Sequence, residues 1–100
     1  MGSVFKNIDT ATAVELLTAT EPIQITRLTI ANVESADTAI NVDLFKNSKT
    51  KRAVRIIGYG TAISGGALLE LDNIYLDTGQ FLTLTTDGNC DIDINYKSLT

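Results

Sequence analysis

A chain of 100 residues has room for one hydrophobic core and no second domain. Its formal charge of −4 and pI near 4.5 argue against a general nucleic-acid binder, and the absence of histidine removes the usual general base and the commonest metal ligand. Hydrophobic residues at 44% are ordinary for a globular domain, and charged residues at 20% are slightly few, which leaves neutral surface for protein contacts.

The start, Met1 to Asp9, has no basic region followed by an apolar stretch, so no signal peptide is expected. No segment approaches the roughly 18 uninterrupted apolar residues of a membrane span. Cys90, the single cysteine, has no internal disulfide partner, which fits assembly in a reducing cytoplasm.

Taken in chain order, residues 1–11 read as a polar N-terminal arm that could stay disordered until it docks on a partner. Residues 12–97 read as one domain and 98–100 as a short tail. Thr12 to Ala19 is rich in alanine and leucine but short and punctuated by threonine, and it is expected to be a first strand rather than a helix. The next strand, from Pro22 to Asn32, changes phase. Ile23 and Ile25 share one parity, Leu28 and Ile30 the other, so a β-bulge is expected near Thr26-Arg27. Val33 to Asp37 reads as a turn. Ile40, Val42 and Leu44 then alternate inward, leaving Phe45 outward.

Lys46 to Lys51 reads as a loop and Ala53 to Ile57 as a strand. Gly58, Gly60, Gly65 and Gly66 are expected to bracket a flexible segment around Ile63. Leu69 and Leu71 alternate with Leu68 and Glu70. Asp72-Asn73 marks a tight turn before a short strand Ile74 to Leu76, and Asp77-Thr78-Gly79 marks another. Phe81 to Thr85 carries Leu82 and Leu84 inward. Asp87-Gly88-Asn89 is the clearest hairpin signal, and the final strand places Cys90, Ile92, Ile94 and Tyr96 on one face. About eight short strands with turns every 8–12 residues predict an all-β, jelly-roll-like β-sandwich of antiparallel strands.

The chemistry-bearing residues are sparse. Cys90 lies on the inward parity without a histidine to activate it and is expected to be a buried structural thiol. Asp87, Asp91 and Asp93 lack the spacing of a calcium loop, and Asp91 and Asp93 read as solvated outward residues. Gly58-Tyr59-Gly60 and Gly65-Gly66 have no following lysine or helix to cradle a phosphate. No catalytic residue, metal or cofactor is expected. The basic residues, in contrast, are concentrated. Lys46, Lys49, Lys51, Arg52 and Arg55 are five of the eight, in an otherwise acidic chain. With the outward aromatics Phe45 and Phe81, they form the candidate partner-binding set, and an acidic neighbouring copy would suit them. Tyr59 and Tyr75 are further aromatics expected to fill the core or anchor an interface.

The order of segments resembles that of a group of small virion proteins of tailed bacteriophages. The resemblance runs over nearly the whole chain: Ala13 to Thr18, Ile23 to Asn32, Ile40 to Phe45, Gly66 to Leu82 and Cys90 to Tyr96. In that group the second strand follows a Pro-Ala-Gly turn, where this chain has Thr20-Glu21-Pro22. The resemblance implies a β-sandwich virion component with no active site. The expected function is a head decoration or cement protein, a homo-oligomer expected as a trimer, bound to the major capsid protein. A neck or tail component (connector, tail terminator or fibre attachment) is the alternative, and a carbohydrate-binding sandwich the alternative of another class. Self and virion proteins are the expected partners, with no nucleic acid, membrane or small-molecule substrate.

Overall fold

Strands make up the regular structure in the computed structural model, which describes residues 2–35, 40–48 and 54–100, with the backbone alone for 40–44 and 58–60. In chain order these are β1 (Gly2–Ile8), β2 (Val14–Thr18), β3 (Ile23–Asn32), β4 (Ile40–Asn47), β5 (Val54–Ile63), β6 (Leu68–Leu71), β7 (Ile74–Leu76), β8 (Phe81–Thr86) and β9 (Cys90–Ser98). Isoleucine, valine, leucine and threonine at period two account for them. Their branched side chains pack well on a pleated surface, and alternation gives each strand one apolar face.

The strands form two antiparallel sheets. One runs β1-β9-β3-β6, with β7 also paired to β3, and the other runs β2-β8-β4-β5. β6 lies opposite Leu28 to Ala31 and β7 opposite Ile23 to Ile25, so the two lie end to end along β3 as one interrupted strand. Counted that way, the chain has eight strands among the described residues. Their order is first, eighth, third, sixth in one sheet and second, seventh, fourth, fifth in the other. This is the strand order of a jelly roll, the two-sheet form of the expected β-sandwich.

The core lies between the sheets. β3 contributes Ile23, Ile25, Leu28 and Ile30, β8 contributes Leu82 and Leu84, and β9 contributes Cys90, Ile92 and Ile94, all buried. β3 keeps its apolar side chains inward along its whole length because the expected bulge is present. The register with β9 shifts between Ile25 and Arg27, and the Thr26 hydroxyl donates to the Asn95 carbonyl at 3.1 Å. A second bulge in β2, between Glu15 and Leu17, sets buried Leu16 and half-buried Leu17 both against the core.

Several sequence expectations are corrected. The stretch assigned to a disordered arm contains β1, paired over seven positions with β9 from Gly2–Tyr96 to Ile8–Cys90. Val4 and Ile8 point to the core, and Ile8 is buried. Gly2 has a steric reason to be glycine, since the Tyr96 ring covers its α-carbon where a β-carbon would overlap. Asp87-Gly88-Asn89 does not close a hairpin. β8 and β9 belong to different sheets, and the turn carries the chain across the sandwich. Asp72-Asn73 does not reverse the chain either. It interrupts the strand along β3, beside the β3 bulge, with Asn73 at φ 56° and its side-chain oxygen accepting from Gln24 at 2.8 Å.

β5 runs unbroken through Gly58 and Gly60 to Ile63, and the expected flexible segment there is strand. Lys46 and Asn47 still belong to β4 rather than to a loop. Asp77 to Gln80 is the turn expected, closed by a Gln80 N–H to Asp77 carbonyl bond of 3.0 Å, with Gly79 at φ 86°. The inward assignments of Ile40, Val42 and Leu44, the position of the Tyr59 side chain, and Ala36 and Asp37 of the turn at Val33 to Asp37 fall outside the described residues or side chains.

Candidate functional site

Two outward faces follow from this architecture. On the β2-β8-β4-β5 sheet, Leu82 and Leu84 point inward, so Phe81 and Thr83 point outward. Phe45 lies directly opposite both Thr83 and Arg55, and Asn47 lies opposite Phe81. Phe45 and Phe81 are thus diagonal neighbours on one face, close enough for aromatic side chains to interact. The other diagonal is a hydrogen bond, Asn47 Nδ2 to Thr83 Oγ1 at 3.0 Å. Arg55 stacks its guanidinium 4.4 Å from the Phe45 ring centroid. A cation over an aromatic face at a surface contributes about 0.5–1 kcal/mol.

The structure therefore brings together three of the seven candidate residues, Phe45, Arg55 and Phe81, and places Lys46 near the end of β4 on the opposite parity, across from inward-pointing Leu82. Both rings are half-buried rather than projecting. Lys49, Lys51 and Arg52 lie outside the described residues.

The second face belongs to the β1-β9-β3-β6 sheet, and sequence reasoning missed it. The register aligns Phe5, Asp93, Thr29 and Glu70 in one row across four strands, and Asn7, Asp91, Ala31 and Leu68 in the next. A groove of about 440 Å³ runs over Phe5, Asn7, Thr29, Ala31, Asp91 and Asp93. Small Thr29 and Ala31 give it depth, and the Phe5 ring, 73% exposed, forms a wall. The Asn7 amide donates to Asp91 Oδ1 at 2.7 Å and to Asn89 Oδ1 at 2.6 Å, which fixes Asp91 in place. Asp93 is less solvated than its sequence position implies, for its Oδ1 is buried without a hydrogen-bond partner among the described residues. The available signal was Val4 and Ile8 at equal parity with Phe5 between them, within a stretch read as polar.

Cys90 occupies the position expected of it, fully buried between the sheets. Burial pushes its thiol above the ordinary range, and the neighbouring carboxylates of Glu34 and Asp91 act in the same direction against a hydrogen bond with Thr86. A raised folded-state value means that the stability contributed by the neutral thiol is complete below the ordinary thiol pKa. It is lost as pH rises through the folded value. Alkylation of Cys90 by iodoacetamide at pH 8 is expected to run on the order of 10³-fold slower in the native chain than in urea, because reagent must await opening of the core. Equal rates in the two states would place the thiol at the surface. Among the described residues no group of three or more cysteine, aspartate or glutamate side chains is arranged to hold a metal ion.

No protein-family model matches the chain, and no curated protein matches it in sequence.

Proposed function

We propose that this chain is a structural protein of a tailed-bacteriophage virion, a head decoration or cement protein that binds the capsid exterior as a homo-oligomer. The observation that carries the reading is the strand order. Jelly rolls recur in viral capsid proteins, where two rigid sheets present loops and outer faces to neighbouring subunits. The outer surface supports it. Phe5, Val54, Leu68 and Tyr75 are large apolar side chains left exposed on strands of both sheets, a supply of anchors for protein contact. The mechanism is mechanical. Each copy bridges shell subunits by several weak contacts, and linkage between copies raises their combined strength.

Lectins share the jelly roll, and carbohydrate binding is the reading of another class. Exposed Tyr75 is the ring it would use, and glycan-array binding lost on Tyr75→Ala would support it. The test of the leading reading is particle mass in solution, by sedimentation or native mass spectrometry, over a hundredfold concentration range. A trimer is the expected result. A hexamer or dodecamer would move the chain to the neck or tail, and a monomer throughout would overturn the reading.

A further inference from the structure

We infer that the groove beside Phe5 is the self-assembly socket of this protein, and that its occupant is the basic segment from Lys46 to Arg55 of a second copy. The inference rests on the proposed self-association and names the surfaces that make it.

Three features of the groove select a cationic side chain. Phe5 and Asp93 are direct cross-strand neighbours, so an aromatic face and a carboxylate flank the same space. A guanidinium or ammonium group placed there meets the ring and the carboxylate together. Asp93 lines the groove, and its Oδ1 is buried with no donor among the described residues, so a cation held over the carboxylate would compensate charge that the described residues leave unpaired. Glu70, Asp91 and Asp93 lie on this outer face against Lys6, which also lines the groove, and Arg27, one row away opposite Asn95, so carboxylates outnumber cations around it. The chain already uses this chemistry once within itself, in the stacking of Arg55 on Phe45.

Charge complementarity names the occupant. Five of the eight basic residues of the chain fall between Lys46 and Arg55, and the remainder of the molecule is acidic. The groove belongs to the β1 end of one sheet, while β4 and β5, which flank the basic segment, form the opposite end of the facing sheet from β2, the strand that lies near β1. The proposed contact is between copies. Socket and segment are different surfaces, so the interface is head-to-tail, and such an interface closes into a ring when its rotation is a simple fraction of a turn.

The test uses two full-length double variants. Phe5→Ser with Asp93→Ser removes the socket, and Lys51→Glu with Arg52→Glu reverses the segment. Both sets of side chains project from the folded sheets or lie in the basic segment, and thermal unfolding checks that each variant folds. Phe5→Ser alone replaces the first variant if the double variant does not. By sedimentation velocity each variant alone is expected to associate at least about 10-fold more weakly than the wild type. An equimolar mixture of the two is expected to form a one-to-one dimer and nothing larger, because it contains a single kind of intact interface. A socket variant that associates like the wild type, or a mixture that stays monomeric, overturns the assignment while leaving the proposed function standing. A wild-type chain that never associates overturns both.

Discussion

Replacing Asn32 with leucine is expected to destabilise the protein by about 2–4 kcal/mol, measured by urea unfolding. Asn32 ends β3 and is only 2% exposed. Its amide nitrogen donates to the Ile63 carbonyl at 3.1 Å, and its amide oxygen accepts from the Glu34 N–H at 2.9 Å. Ile63 ends β5 in the facing sheet, so this one side chain ties the two layers together at that margin. Its backbone extends the tie, giving its N–H to Ala67 at 2.9 Å and accepting from Gly66 at 3.2 Å. Leucine has the volume to fill the site but offers neither donor nor acceptor. The Ile63 carbonyl would lose its buried donor at a cost of about 1–3 kcal/mol, and the part-buried Glu34 N–H would lose its acceptor at a smaller one. A change below about 0.5 kcal/mol would mean that water reaches both groups and that the tie is dispensable.

Truncating Ile8 to alanine is expected to cost about 2–4 kcal/mol by the same measurement, the range for a buried isoleucine that leaves a partly collapsed cavity. Ile8 is 3% exposed and sits opposite Cys90 at the inner end of the β1–β9 ladder. The contrast is with Phe5→Ser, three residues earlier on the same strand, which should change stability by less than about 0.5 kcal/mol because its ring faces solvent. A disordered arm predicts no change for either substitution. The pair of measurements therefore decides whether these residues are part of the sandwich.

The difficulty of reading β1 from sequence has a physical origin. An edge strand is covered on one side only, and Lys6 interrupts the apolar parity between Val4 and Ile8 without penalty because it lies at the exposed margin of the sheet. A charge pointing inward from an edge is also a common protection against edge-to-edge aggregation. Where strands are central, the alternation was plain. Leu82 with Leu84, and Cys90 with Ile92 and Ile94, are buried as their spacing requires, and the phase change in β3 located its bulge.

Pairing partners were not legible. Asp87-Gly88-Asn89 has the composition of a tight turn, and the chain does turn there. Its residues bond elsewhere, however. Asn89 accepts from the Val33 N–H at 3.2 Å through its carbonyl and gives its own N–H to Glu34 at 3.1 Å. Turn chemistry fixes where a chain bends, whereas long-range burial fixes which sheet receives the next strand. The candidate binding residues divide the same way. Parity correctly placed Phe45 and Phe81 outward. It carried no information about the Phe5 groove, which exists only because β1, β9 and β3 lie side by side.

Only β4 and β5, among the described strands, are both consecutive in sequence and hydrogen-bonded to each other. The first strand is completed by the ninth, so β1 has no ladder to join until residues 90–98 have left the ribosome. At synthesis rates of about 5–20 residues per second, the nascent chain carries an unsatisfied strand for several seconds. Folding of this sheet is thereby deferred until β9 has emerged, when a topology of distant pairings closes in milliseconds to seconds. Abundant production in one burst would then favour crowded, half-finished chains, and a charged Lys6 on the waiting strand is well placed to keep them apart.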